Sequence, residues 1–275
     1  MSQKKKTLGP VSSHLVQELL KEGKRVFRSR DVCRILKKDA RAAADLVSEM
    51  VGREILFRIK PGLFYVVPLG SSRASAVNWY VAAREMMSGR PYYIGYYSAM
   101  AIHGMTTHPV KDVFVVSPVR RQNRNVAGVS FLFQYADPRK FFGLQDSWLT
   151  SSEQISVSDP GRTVIDCLSR PDLCGGVAEA ARGMWLKRNS LDWGKTVDGA
   201  IRFGAYAPAK RLGFLMELLG FGSAQDIEGL KAFTDRSRAY VPLDPTVSGE
   251  KDGFRSRWKI RVNFNVDEIR QTLET

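Results

Sequence analysis

Histidine and cysteine are scarce, with three of each in 275 residues. His103 and His108, five apart across a glycine, lack the spacing of a metal pair, and no Cys or carboxylate lies close to them in sequence. Cys33, Cys167 and Cys174 are odd in number and unpatterned, which excludes a disulfide framework and reads as reduced thiols in a cytoplasmic protein. No apolar run reaches bilayer length, so no membrane span is expected. The opening MSQKKKTLGP has lysines without an apolar segment behind them, unlike a secretory signal. Glycine-rich phosphate loops, nucleophile elbows and Cys-x-x-Cys pairs are missing. Asp112, Asp159 and Glu217 offer acids to a restriction-type nuclease, but no Glu-x-Lys strand follows any of them. The Gly-Ser pair with two nearby acids that a nucleotidyltransferase needs is absent as well. The sequence therefore assigns no catalytic residue, no metal and no cofactor.

Negative charge is also in short supply. Asp and Glu number 28 against 42 Lys and Arg, a net charge of +14. That balance implies a polyanionic partner, nucleic acid before membrane, because no basic amphipathic helix is evident. With 44% apolar and 25% charged residues the chain is otherwise ordinary and globular.

The run from Phe27 to Leu69 organises the rest. Ser29 and Asp31 stand at a helix N-cap, with Val32, Ile35 and Leu36 following at helical spacing. Asp39 caps a second helix whose apolar face is Ala43, Leu46, Val47 and Met50, and Gly52 supplies a positive-φ stop. The period then falls from 3.6 to 2. Ile55, Phe57 and Ile59 alternate with Leu56, Arg58 and Lys60, Lys60-Pro61-Gly62-Leu63 has type II turn composition, and Leu63 to Val67 returns as the partner strand. A first helix from Ser12 to Glu22 precedes them. This order predicts an N-terminal winged helix-turn-helix over residues 1–70, followed by a helix-rich mixed α/β domain over 71–275, an α+β protein in all.

Residues 1–70 hold fifteen Lys or Arg and seven Asp or Glu, +8 of the +14. Double-stranded DNA needs cations at the recognition helix and the wing, so the expected contacts are Arg28, Arg30, Lys37, Lys38, Arg41, Ser48, Arg53, Arg58 and Lys60. The recognition helix also exposes Asp45 and Glu49, leaving Arg41 as its one bidentate reader of guanine. Specificity would then lean on the wing, on DNA shape or on a second protomer. A winged helix that binds protein is the competing reading.

Further along, Lys4-Lys5-Lys6 form a basic arm and residues 70–75 a hinge. Asn78 to Met87 reads as a helix. Tyr92 to Gly104, YYIGYYSAMAIHG, has four tyrosines without an intervening cation; core packing with hydroxyls at the surface fits better than a base-stacking platform. Strands at Val113–Val116 and Ser130–Gln134 flank PVRRQNRNVAG, in which Arg120, Arg121 and Arg124 make a second basic patch on a hairpin tip. A short strand at Ile155–Val157 precedes Asp159 and Pro160, which start a helix in which Asp166 pairs with Arg162 at i−4. Helices follow at Val177–Arg188, Leu191–Phe203, Ala209–Leu219 and Asp226–Phe233. Strand-like Tyr240–Leu243 and Trp258–Asn263 and a closing helix at Asp267–Leu273 complete the chain.

Four stretches together, YYIGYYSAMAIHG (92–104), ISVSDPGRTVIDCLSRPDLCGG (155–176), RLGFLMELLG (211–220) and RWKIRVNFN (257–265), resemble the AbiEi family of antitoxins of abortive-infection systems. The resemblance covers nearly the whole chain and is most specific from Ser158 to Leu168. It implies a type IV antitoxin encoded beside a nucleotidyltransferase-like toxin. The N-terminal domain would bind repeats, usually inverted, in its own promoter and repress the operon, cooperatively as two protomers. The C-terminal domain would counter the toxin, without direct contact as a general rule. Carried over, Lys37, Lys38, Arg41, Arg53, Arg58 and Lys60 become the promoter contacts. Covalent, kinase-like modification of the toxin and a plain interaction scaffold are the alternative functions.

Overall fold

A computed structural model of the chain describes residues 8–68, 77–150, 153–248, 253–255, 257–263, 266–267 and 269. The Lys4–Lys6 arm, the 70–75 hinge and most of the expected 267–273 helix lie outside the described residues. Ten α-helices and three sheets make a mixed α/β architecture among those residues.

The first part runs α1 (Pro10–Lys21), β1 (Val26–Arg28), α2 (Ser29–Leu36), α3 (Ala40–Gly52), β2 (Leu56–Lys60) and β3 (Leu63–Val66). The strands form an antiparallel sheet in the order β1-β3-β2. Its core takes Leu15 and Leu19 from α1, Val32 from α2, and Ala43, Val47 and Met50 from α3, packed on Phe27, Leu56 and Phe64. Each large aliphatic side chain buried there contributes roughly 1.5–3 kcal/mol. The Asp39 carboxylate accepts the Ala42 amide at 2.8 Å and starts α3.

Three local expectations are corrected. The N-cap of α2 is Arg28, whose amide donates to Asp31 at 2.8 Å, and Ser29 is the first helical residue. Gly52 stays helical, and Glu54 takes the left-handed position at φ +60°. Its amide donates to Val51 and that of Ile55 to Met50, both at 3.0 Å, which closes the helix with the paired bonds of a Schellman motif. The hairpin is not a plain alternation: a bulge shifts the register between Arg58 and Lys60, and Ile59 packs beside Phe57 in the cluster shared with α4 (Trp79–Met87) and the second sheet, while Leu56 packs in the core of the first three helices. Gly62, at φ +75°, turns the hairpin as its position beside Pro61 requires.

The second part is built on a six-stranded sheet. After α4 (Trp79–Met87) come β4 (Tyr93–Ile94), α5 (Tyr96–Ile102), β5 (Val113–Ser117), β6 (Arg124–Val126), β7 (Val129–Tyr135), β8 (Leu144–Trp148) and β9 (Gln154–Ser158). The strand order is β6-β7-β5-β4-β9-β8. β5 and β7 are parallel, so the expected hairpin between them does not form. The connection instead carries β6, which folds back antiparallel on β7. The basic loop is therefore a crossover with its own strand.

Helices α6 (Pro160–Ser169), α7 (Gly176–Leu186), α8 (Trp193–Phe203), α9 (Tyr206–Leu219) and α10 (Ala224–Thr234) pack on one another and on the sheet. Asp159 caps α6 through the Arg162 amide at 2.7 Å, with Pro160 in the first turn. Ser223 and Asp226 form a capping box on α10. A small sheet, ordered β10 (Val241–Pro242), β12 (Ile260–Val262), β11 (Gly253–Arg255), closes against α9.

The two parts share apolar packing. Phe57 of β2 meets Trp79 edge-on at 6.3 Å, and Trp79 meets Phe131 of β7 at 6.0 Å. Val26, Ile59, Leu63, Tyr65 and Val67 belong to the same buried cluster as Val81, Met86, Ile94, Val115 and Val157.

Candidate nucleic-acid interface

The turn between α2 and α3 leaves Lys37, Lys38 and Arg41 exposed, and none has an ion-pair partner among the described residues. Lys37 holds φ +52° and ends α2, so the chain reverses where two lysines stand side by side. Arg41 follows in the first turn of α3, beside the Asp39 cap. Three unneutralised cations crowd one short segment, the arrangement that phosphates on one side of a groove require.

The middle of α3 is different. Asp45, Ser48 and Glu49 are exposed, and Glu49 accepts Arg53 Nη1 at 2.9 Å. Arg53 is thus tied to a carboxylate one turn back, which reduces the charge it presents. Ser48 keeps a free face position between two acids. On the hairpin, Arg58 is exposed with its guanidinium 5.6 Å from the Phe64 ring centroid, and Lys60 is half-buried. Arg30 points outward on α2.

Arg28 lies elsewhere than expected. Its Nη2 donates to the Glu85 carbonyl and, at 3.0 Å, to Ser88 Oγ, while its Nε lies 3.5 Å from Glu85 Oε2. These groups sit at the C-terminal end of α4, where unpaired carbonyls attract cations. Arg121 joins the same helix end, donating to the Met86 carbonyl at 3.1 Å. Arg124 is exposed on β6, and Arg120 stacks 4.6 Å over Tyr135. Burial lowers the Lys60 ammonium below its usual range, and Arg28, Arg124 and Arg121 push it the same way. Burial likewise lowers the Arg121 guanidinium, with Arg90, Arg124 and Arg28 adding to it. The two basic patches read separately in the sequence are therefore electrostatic neighbours. Arg90, just past α4, completes the group and has no sequence signal of its own.

The stretches that carry the family resemblance meet in the interior. Arg162, 2% exposed, donates Nε to Asp166 at 2.9 Å, Nη2 to the Tyr93 hydroxyl at 2.9 Å and Nη1 to the Lys140 and Phe142 carbonyls at 2.6 and 3.1 Å. The Tyr93 hydroxyl in turn donates to Asp166 at 3.1 Å, so this tyrosine points inward and not to the surface. Burial raises the Asp166 carboxyl above its usual range, and Arg162 opposes the rise. Arg211 links the Leu168 carbonyl at 2.7 Å with that of Leu243 at 2.9 Å. His103 Nε2 meets the Ser158 carbonyl at 2.6 Å, and burial lowers its imidazole. Every polar group of this set is bonded within the fold, a structural use of the i−4 pair. A cleft of about 410 Å³ beside it is lined by Asp159, Gly161, Asp192, Lys195, Asp198 and Arg202 among others. No cluster of three or more metal-ligating side chains occurs among the described residues. Within the same residues no helix is long and apolar enough to cross a membrane.

The geometry defines a mixed α/β protein in which Arg28 and Lys60 of the first sheet lie near Arg121 and Arg124 of the second basic patch. No family model and no curated protein matches the sequence. Among solved structures the chain is similar to the RV2827C protein from Mycobacterium tuberculosis, with a TM-score of 0.72 at 13% identity. That match covers 98% of this chain and 96% of the other, a likeness of fold.

Proposed function

We propose that the chain is a DNA-binding, non-enzymatic antitoxin that represses its own operon through an N-terminal winged helix. The observation that carries this reading is the order α1-β1-α2-α3-β2-β3 with its antiparallel β1-β3-β2 sheet, bearing unpaired cations at the α2–α3 turn and on the β2–β3 hairpin. In a winged helix α3 enters the major groove and the hairpin lies on the flanking backbone. Lys37, Lys38 and Arg41 then meet phosphates at one edge, and Arg58 and Lys60 at the other. The acidic Asp45 and Glu49 keep the middle of α3 away from close base contact, so affinity comes from the backbone and selectivity from groove shape and paired sites.

The antitoxin half of the reading rests on the resemblance of residues 92–104, 155–176, 211–220 and 257–265 to the AbiEi family. A nucleotidyltransferase-like toxin would be its functional counterpart. Fluorescence anisotropy with DNA from upstream of its own gene, a scrambled duplex and two salt concentrations tests the DNA half. Tight, salt-sensitive binding to the upstream duplex alone is expected. Equal affinity for both duplexes would remove the autorepressor. Growth of cells expressing the neighbouring toxin, with and without this protein, tests the other half.

A further inference from the structure

Arg28 and Lys60 pair across the first sheet with the same residue, Leu63 of β3, so the two cations occupy one rung on either side of it. Trp79 of α4 bridges Phe57 of β2 and Phe131 of β7, and Phe131 is the register partner of Arg124 on β6. Arg121 and Arg28 both reach the C-terminal end of α4, and Arg90 follows that end. Five cations from four separate segments therefore meet at the seam between the two parts of the chain.

Their own fold neutralises them only in part. Glu85 is the carboxylate within ion-pair distance of the group among the described residues, and Arg84 shares it. Lys60, Arg90, Arg121 and Arg124 have no carboxylate partner there. The Nε–H groups of Arg28 and Arg121 are buried and donate no hydrogen bond, although the Glu85 carboxylate lies 3.5 Å from that of Arg28. A buried guanidinium N–H without an acceptor is costly, and an oxyanion with several acceptor lone pairs would satisfy both. The α4 carbonyls of Glu85 and Met86 fix the Arg28 and Arg121 guanidinium groups in place, so the centre of the site is preorganised.

We propose that Arg28, Lys60, Arg90, Arg121 and Arg124 form a phosphate clamp at this seam, and that its occupant is a backbone phosphate of the duplex held by the N-terminal module. This rests on the DNA-binding reading above and extends it. The duplex would run from the α3 groove past the hairpin and over the β6 edge of the six-stranded sheet. Anchoring at the seam would fix the duplex direction relative to the whole molecule.

The test uses the full chain and Arg90→Gln/Arg124→Gln, two exposed side chains that make no side-chain hydrogen bond among the described residues, so the fold survives their loss. Anisotropy titrations with the upstream duplex at several salt concentrations are run beside Arg41→Ala/Arg58→Ala. For the seam variant we expect at least about a tenfold loss of affinity and a log–log salt slope shallower by roughly 1–2. Unchanged affinity and slope there, with binding lost in Arg41→Ala/Arg58→Ala, would overturn the clamp and leave the DNA-binding reading standing. No change in either variant would remove both. Thermal melting in inorganic phosphate against chloride at equal ionic strength separates the sources. Stabilisation by phosphate that the seam variant loses, with DNA affinity unaltered, would show a free-oxyanion site and overturn the assignment to DNA.

Discussion

Arg162 and Asp166 lie 2.9 Å apart inside α6, with side chains 2% and 3% exposed. A pair so deeply placed is stable only while both members remain. Asp166→Asn should cost roughly 3–5 kcal/mol because Arg162 would keep its charge without a counter-ion. In an Arg162→Met background the same change should cost far less. Urea denaturation of the four proteins closes the cycle, and equal costs in both backgrounds would dissolve the coupling.

Gly213 lies against the ring of Trp258. A Cβ at residue 213 would stand 2.2 Å from Cζ3 and Cη2 of the indole. Alanine in a helix interior is normally favoured over glycine by about 1 kcal/mol. Gly213→Ala should reverse that sign, losing about 1–3 kcal/mol or more by overpacking. Thermal melts by circular dichroism decide it, and Trp258→Leu should relieve part of the loss.

At the proposed groove, Arg41→Ala/Arg58→Ala should weaken binding to the upstream duplex and flatten its salt slope by roughly 2. Stability should not move, since both side chains are exposed. Retention of full affinity would take these two positions out of the interface.

Asp39→Ala should cost about 1 kcal/mol by removing the α3 cap, and DNA affinity should fall with it because α3 carries Arg41. A chemical-denaturation midpoint equal to that of the parent would deny the cap its role.

Glu22 meets Arg34 at 2.6 Å and Lys24 at 3.0 Å. Its hydrogen bond to Arg34, then that to Lys24, lowers its carboxyl from 4.5 to about 2. A pKa lower in the folded chain gives stability that is present above 4.5 and lost as pH falls toward 2. The pair is solvent-exposed, so the effect is modest. Glu22→Gln should flatten the acid limb of the stability curve over that window. Parallel curves for the two proteins between pH 5 and 2 would contradict the linkage.

Much of the local structure is legible in the residues themselves. Asp39 before an apolar i, i+3, i+4 pattern, Asp159-Pro160 before another, and Pro61-Gly62 between two apolar runs each encode their geometry within a few positions. The limits are equally physical. β1 is three residues long, too short for a period, and exists because β3 offers it an edge. Glu54 takes the left-handed turn in place of Gly52 because helix closure depends on where Met50 and Ile55 can bury together. The parallel pairing of β5 with β7 is a tertiary fact that two strands and a loop cannot announce. Most of all, the seam cations come from positions 28, 60, 90, 121 and 124. Arg120, Arg121 and Arg124 are visible as a patch, but nothing in the sequence says that Lys60 lies beside them.

The contacts of Trp79 with Phe57 and Phe131 have a mechanical consequence. A DNA-reading module on a loose tether swivels freely, and its partner domain merely follows. Here the hairpin and the large sheet are bolted through shared aromatic rings. In the proposed DNA complex, torque from a bending duplex would pass into the body of the protein, and any strain felt by the sheet would return to the DNA-binding face. Cut away from that body, the first sheet would bare Val26, Ile59, Leu63 and Tyr65, a sticky face unsuited to a free-standing fragment.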